Sequence, residues 1–287
     1  MRIQLTPKDI IDNSKRIVIK VGTETIIKDG KIDTEWLNAF AKDIAALKRQ
    51  DKEVFVVTSG AIGLARGLLN IDPEIPTKDL PLRIQQKLAT TGQIDLMSAY
   101  SQAMLPVGLR PQQILLTADV AQNQKQILNL KNTCLIDETD NEKFQNLIPV
   151  LNEDDALATD EITFGDNDQL GAMTTALLGA DLYILLSKQA GLFTDNPALN
   201  VNARHLPIAP SEAEAFQYVR DDITGISRGG MDSKLKAAFK AASCGAYVIM
   251  AKGQGVIHCL SLMAANDVSY KSTIFLPTRR LFLRMLV

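Results

Sequence analysis

The sequence predicts an α/β protein with a mostly parallel central sheet. Three observations predict it: short β-rich runs recur along the chain, helical patterns separate them, and four of the runs end in small or polar residues on what would be one edge. In open sheets of this kind ligands bind in the crevice beyond the carboxyl ends of the strands, so the third observation also marks where to look for function.

The first strand is "RIVIKV" at 16–21, closed by "GTET". Residues 34–49 then show helical periodicity, and "EVFVVT" at 53–58 runs into "SGA". The proline-rich loop "NIDPEIPTKDLP" leads to a long helical pattern over 82–103 and is too short to mark a domain border. "QILLT" (113–117) and "LIPVL" (147–151) are the next strands, the second followed by "NEDDA". In "FGDNDQLGAMTTALLGA", Leu170, Met173 and Leu177 recur at helical spacing and Gly179 supplies a stop. "LYILL" (182–186) ends in "SKQAG", a helix is expected over 232–242, and "YVIMA" (247–251) is the last strand. For any one loop, turn chemistry alone explains the Gly, Ser, Asn and Asp. Four together favour a site.

Composition narrows the function classes. With 287 residues, 46% of them hydrophobic, the chain can bury a large core. A formal charge of −2 gives no basic footprint for nucleic acid. Cys134, Cys244 and Cys259 show no paired spacing and the only histidines are His205 and His258, which supports neither a disulfide framework nor a His/Cys metal site. The charged N-terminus lacks a secretory pattern, and no apolar run approaches a membrane span, so a cytoplasmic protein without membrane contact is expected.

Individual residues then point to anionic ligands. An Asp or Asn oxygen readily caps a helix, which accounts for one of Asp166, Asn167 and Asp168 but not for three. "TSGAIG" and "SRGGMDSK" place glycines and hydroxyls where backbone amides can approach a phosphate, although neither is a Walker A loop or a dinucleotide fingerprint. Lys20 lies at the end of a strongly apolar strand, unusual for a residue seldom buried without a partner.

Taken in order, "VIKVGT", "VVTSGAI", "PVLNEDDA", "FGDNDQL", "AGLFTDNP" and "GGMDSK" resemble the glutamate 5-kinase branch of the amino acid kinase family, and "NEDDA" followed by "GDND" carries the branch. The resemblance implies a three-layer α/β/α sandwich in which ATP, Mg²⁺ and L-glutamate meet over the carboxyl edge of the sheet. It implies catalytic Lys20 and Lys234, which balance charge on the transferred phosphoryl group, held in place by Asp168. Ser59, Asn152, Asp155, Asp166 and Asn167 match the glutamate site. Nucleotide binding falls to Lys20, Ser187, Lys188, Arg228, Gly229, Gly230, Met231, Asp232, Ser233 and Lys234, with no metal ligand assigned to the protein. Proline as feedback inhibitor and a homo-oligomeric assembly are further implications. One amino acid kinase domain is expected over residues 1–287, its core about 14–277, without the further C-terminal domain that the family often adds.

That reading gives the surplus polarity a purpose. A bound amino acid presents an ammonium beside a carboxylate, so acids such as Asp155 and Asp166 suit the first, while Asn167 and helix amides suit the second. The nucleotide side departs from the family: Ser187-Lys188 stands where Thr-Asp is usual, Ser227-Arg228 where Gly-Thr is usual, and Asp154 replaces an Asn. Another acceptor within the family, or a regulatory homologue with weakened nucleotide binding, are the alternatives those changes leave open. Arg279, Arg280 and Arg284 among the terminal leucines read as a packed terminal segment or an interaction surface.

Overall fold

Side-chain alternation decides which way each strand faces. In the computed structural model, which describes residues 5–72, 74–137, 140, 143–157, 167–219 and 230–278, β1 (Arg16–Val21) sends Ile17, Ile19 and Val21 into one buried cluster and Val18 into another. In β2 (Glu53–Thr58), Val54 and Val56 join the first cluster and Phe55 and Val57 the second. A strand buried on both faces must be apolar at nearly every position, which is why these runs read as continuous hydrophobic segments.

The remaining sheet strands are β3 (Arg110–Leu116), β4 (Leu147–Glu153), β5 (Leu182–Ser187), β6 (Tyr247–Lys252) and β7 (Ser272–Phe275). They form one seven-stranded sheet in the order β7-β6-β5-β1-β2-β4-β3. Every neighbouring pair is parallel except β6 and β7. The chain builds outward from β1 to β2, β3 and β4 on one side, then returns to add β5 on the other, so β1 and β5 flank the switch point where an open sheet offers its crevice.

Helices cover both faces, as expected of a three-layer sandwich. Helices α1 (Pro7–Asn13), α2 (Thr34–Lys48), α3 (Ala61–Leu68) and α4 (Leu82–Met104) pack Ile11, Trp36, Leu64 and Tyr100 into the first cluster. Helices α5 (Gln124–Cys134), α6 (Asn167–Leu178) and α7 (Met231–Ser243) pack Leu130, Leu170 and Leu235 into the second, and α8 (Cys259–Ala264) returns to the first with Leu260. Helix α2 begins where Asp33 accepts from the Trp36 amide at 3.0 Å, and α6 stops at Gly179, whose φ of 62° is the left-handed conformation that ends a helix.

Strand and helix bounds follow the sequence expectations closely. β3 starts three residues earlier than "QILLT", and β7 carries no sequence expectation at all: a four-residue run has too little periodicity to declare itself. Cys134 and Cys259 are buried and Cys244 is exposed, and no disulfide links them. Among the described residues no helix is long and apolar enough to cross a membrane.

Candidate active site

Lys20 follows Val18 at the two-residue period of β1, so it faces the α6/α7 side of the sheet near the carboxyl end of the strand. Its neighbours in register are Val57 and Leu185, and only 6% of it is exposed. An ammonium in such surroundings needs an opposite charge. Asp168, in the first turn of α6 and fully buried, provides it: Lys20 Nζ lies 2.5 Å from Asp168 Oδ1. The other carboxylate oxygen, Oδ2, receives Lys234 Nζ at 3.1 Å from the first turn of α7. One acid thus holds two cations from two separate elements.

The charge state of Asp168 follows from competing terms. Burial raises its affinity for a proton, but the fields of Lys20 and Lys234 and the hydrogen bonds they donate outweigh burial and hold the carboxyl below its ordinary range. Gly171 helps to fix this end of α6, because a Cβ there would lie 2.4 Å from the Tyr183 hydroxyl, which donates to the Asp168 carbonyl at 3.0 Å. The cluster carries two positive charges on one negative, so it offers a net positive point at the switch of the sheet.

Over β2 and β4 lies a second, neutral constellation. Asn167 Nδ2 donates to Thr58 O at 2.7 Å, Ser59 Oγ at 2.9 Å and Asn152 Oδ1 at 2.9 Å. Asn152 Oδ1 also accepts from the Glu153 amide at 3.0 Å, and Asn152 Nδ2 donates to Gln93 Oε1 at 2.9 Å. The buried Tyr100 hydroxyl braces the "TSGA" turn by donating to Thr58 Oγ1 at 2.9 Å. Gly60, at φ 115°, turns the chain from β2 into α3 in a conformation that L side chains rarely adopt.

The structure therefore brings together Lys20, Asp168 and Lys234, and separately Ser59, Asn152 and Asn167, over one edge of the sheet. Asp155 sits half-buried two residues beyond β4 on the same edge. Asp166, Ser227, Arg228, Gly229, Arg279, Arg280 and Arg284 lie outside the described residues. The chemistry of Asn167 differs from the sequence expectation: its amide nitrogen is taken up by three protein acceptors, so the atom it leaves over is the acceptor Oδ1. Asp154, the replacement for Asn, accepts from the Ala156 amide at 3.2 Å, a turn contact that an Asn oxygen makes equally well.

On the other side of β1, Ser187 is buried and turns its hydroxyl to Gln189, accepting from its amide at 3.1 Å, while Lys188 is exposed. Gly230 precedes α7 and Lys234 is in its first turn, but Asp232 points outward and pairs with Lys236 at 2.7 Å. Ser233 receives Gln169 Nε2 on its carbonyl at 3.2 Å, tying α6 to α7. Beside Met231 is a cleft lined by Gln189, Phe193, Pro197, Tyr218 and Val219. No sequence expectation attaches to Phe193 in "AGLFTDNP" or to Gln93. An aromatic in the two-residue strand Leu192–Phe193 and a glutamine in a helix carry no periodic signal that separates ligand contact from packing.

A mostly parallel α/β/α sandwich with a lysine–aspartate–lysine cluster over its switch point has the charge that suits an anionic ligand. The profile of the Amino acid kinase family matches residues 15–251, and the chain belongs to that family. Glutamate 5-kinase of Ruegeria sp. (strain TM1040) is 37% identical over 264 residues, covering 90% of this chain and 68% of that relative. Glutamate 5-kinase of Paracoccus denitrificans (strain Pd 1222) is 36% identical over 279 residues, covering 95% and 70%. Among solved structures, T. acidophilum isopentenyl phosphate kinase matches with a TM-score of 0.58 at 15% identity, covering 91% of this chain and 99% of that one. UMP kinase from Ureaplasma parvum matches with a TM-score of 0.61 at 13% identity, covering 92% and 99%. At such identities these two establish the fold alone.

Proposed function

We propose that the chain transfers the terminal phosphoryl group of ATP to the γ-carboxylate of L-glutamate, giving γ-glutamyl phosphate and ADP as the first step of proline biosynthesis. The observation that carries this reading is the buried Asp168 held between Lys20 and Lys234, with a neutral, amide-rich site beside it. Both reactants are anionic. A γ-carboxylate oxygen forms the new bond to phosphorus while the bond from phosphorus to the ADP oxygen breaks, its electron pair leaving with ADP. No proton has to move, so the protein's task is alignment and charge neutralisation.

Lys20 and Lys234 supply the positive charge from opposite elements, and Asp168 fixes both ammonium groups before the reactants arrive. Such preorganised charge is most effective in a site shielded from water. The cleft at Phe193, Tyr218, Val219 and Met231, on the same side of β1 as Ser187, supports a position for the nucleoside base there. Among the described residues, no three Asp, Glu, His or Cys side chains converge on a metal position. Mg²⁺ would arrive mainly on the nucleotide phosphates, since the ion keeps several waters and needs few protein ligands; bound there it would add positive charge to those phosphates.

A hydroxamate assay on the purified chain with L-glutamate, ATP and Mg²⁺ tests the function. Acyl phosphate formation is expected, and its absence at saturating substrates sinks the reading. Asp155→Asn and Asn167→Ala are expected to raise KM for glutamate about tenfold or more while moving KM for ATP little, because a polar group left unpaired in a closed site is costly. Equal loss for both substrates would point to a folding defect instead.

Proline as a competitor for the glutamate site, a homo-oligomeric assembly and a cytoplasmic location belong to the same proposal, and glutamate should relieve proline inhibition. Lys188 is exposed, and in the sequence Lys188 and Arg228 put cations where the family usually has an acid and a neutral hydroxyl. We expect that Lys188→Asp and Arg228→Thr sharpen the preference for ATP over GTP. Unchanged selectivity in both variants would show that the two cations act only through solvent.

A further inference from the structure

Gln93 extends the acceptor site by one residue. It lies in α4 with 8% of its surface exposed, at the end of the amide chain Asn167–Asn152–Gln93. The orientation of every amide in that chain is dictated from one end. The Glu153 backbone N–H requires an acceptor, so Asn152 turns Oδ1 toward it; Asn152 Nδ2 then faces Gln93, which must answer with Oε1. The Gln93 Nε2 group is consequently left buried with no partner among the described residues. At the other end of the chain Asn167 Oδ1 is buried and likewise without a partner among the described residues. A buried donor and a buried acceptor left open on one braced network call for a ligand that answers both.

Gly92 is the reason that Gln93 reaches so far in. A Cβ at position 92 would lie 1.9 Å from the Ala61 carbonyl oxygen, so only glycine lets α4 press against the start of α3. That approach sets Gln93 beside Asn152, on β4. In the sheet order, β4 is separated from the Lys20 strand β1 by β2, so Gln93 serves the end of the acceptor remote from phosphoryl transfer.

We infer that Gln93 is a substrate-binding residue of this site, whose Nε2–H donates to the α-carboxylate of the amino acid while Asn167 Oδ1 accepts from its α-ammonium. The inference rests on the proposed glutamate reaction and specifies which end of the substrate is read, and by which atoms. An acceptor without an amino acid head group, such as a simple phosphate ester, would leave the pair unanswered.

The substitution that separates donation from mere bracing is Gln93→Glu. It keeps an oxygen for Asn152 and replaces the N–H donor by a second oxygen that repels a carboxylate. With the folded variant verified by an unchanged melting temperature, KM for glutamate should rise at least tenfold, with KM for ATP within about twofold and kcat largely kept. Gln93→Leu, which loses both contacts, should raise KM similarly. The arm that identifies the group is 4-aminobutanoate, which is glutamate without its α-carboxylate: as acceptor or as inhibitor it should bind wild type and Gln93→Leu about equally. A Gln93→Glu protein with normal KM for glutamate overturns the inference while leaving the kinase reading intact, and so does a Gln93→Leu penalty of equal size on 4-aminobutanoate. Should Gln93→Glu melt lower, the Gln93→Leu comparison between the two ligands decides alone, because a packing defect penalises both. If the wild type neither turns over nor binds glutamate in calorimetry, the proposed function falls, and the inference with it.

Discussion

Replacing Lys20 or Lys234 by alanine is expected to lower kcat about 10²- to 10³-fold while leaving the dissociation constant for glutamate within a few-fold of wild type. The reason lies in where the two ammonium groups sit. Both are held on Asp168, at 2.5 and 3.1 Å, rather than on the amide network over β2 and β4. On the proposed reaction their charge serves the transferring phosphoryl group, whose negative charge is redistributed in the transition state, rather than the amino acid head group. Rapid-quench or steady-state turnover alongside glutamate calorimetry separates the two effects. Near-normal kcat in either variant would remove that lysine from the mechanism. An equal loss of glutamate affinity would move it into the acceptor site.

Asp168→Asn should damage both stability and rate. The side chain keeps its shape and loses its charge, leaving two cations close together in a buried site. Breaking a buried ion pair by removing one partner commonly costs about 3–5 kcal/mol. The pH dependence follows from the direction of the shift. Burial pushes the carboxyl up, but Lys20 and Lys234 pull it further down, so the folded pKa lies below the reference of 3.8. The stabilisation is then fully present above the unfolded value and is lost as pH falls through the folded one. Urea titrations of wild type and Asp168→Asn across the acid range should show a stability gap that is constant from neutral pH to about 5 and narrows below about 4. A gap that persists unchanged into strong acid would mean that Asp168 is not held in its charged form by the lysines.

Much of this molecule is legible in one dimension. The strands β1, β2, β4, β5 and β6 are continuous apolar runs because both faces of the sheet are covered, and that requirement is written residue by residue. Lys20 is conspicuous for the same reason: in a strand buried on both faces, a lysine breaks the pattern. The polarity of "GDND" at the head of a helix exceeds what capping needs, and Asp168 accounts for part of the excess by leaving the cap role to bind two lysines.

Other features were decided only by the tertiary structure. Periodicity reports the environment of a residue from its near neighbours, whereas a hydrogen bond such as Asn152 to Gln93 joins positions 59 apart. Nothing in the helical pattern of 82–104 distinguishes Gln93 from the solvent-facing polar residues beside it; the close approach at Gly92 does. Asn167 could be expected near an amino acid, yet which of its two amide atoms is left for a ligand depended on three acceptors converging from β2 and β4. The short β7 takes its place from pairing with β6, because four residues fix neither a face nor a direction on their own. Sequence by itself determined the layers, the edge that carries the candidate site and the charged residues there. The fold decided which of their atoms meet, since that is set by the approach of elements whose contacts leave no trace in local spacing.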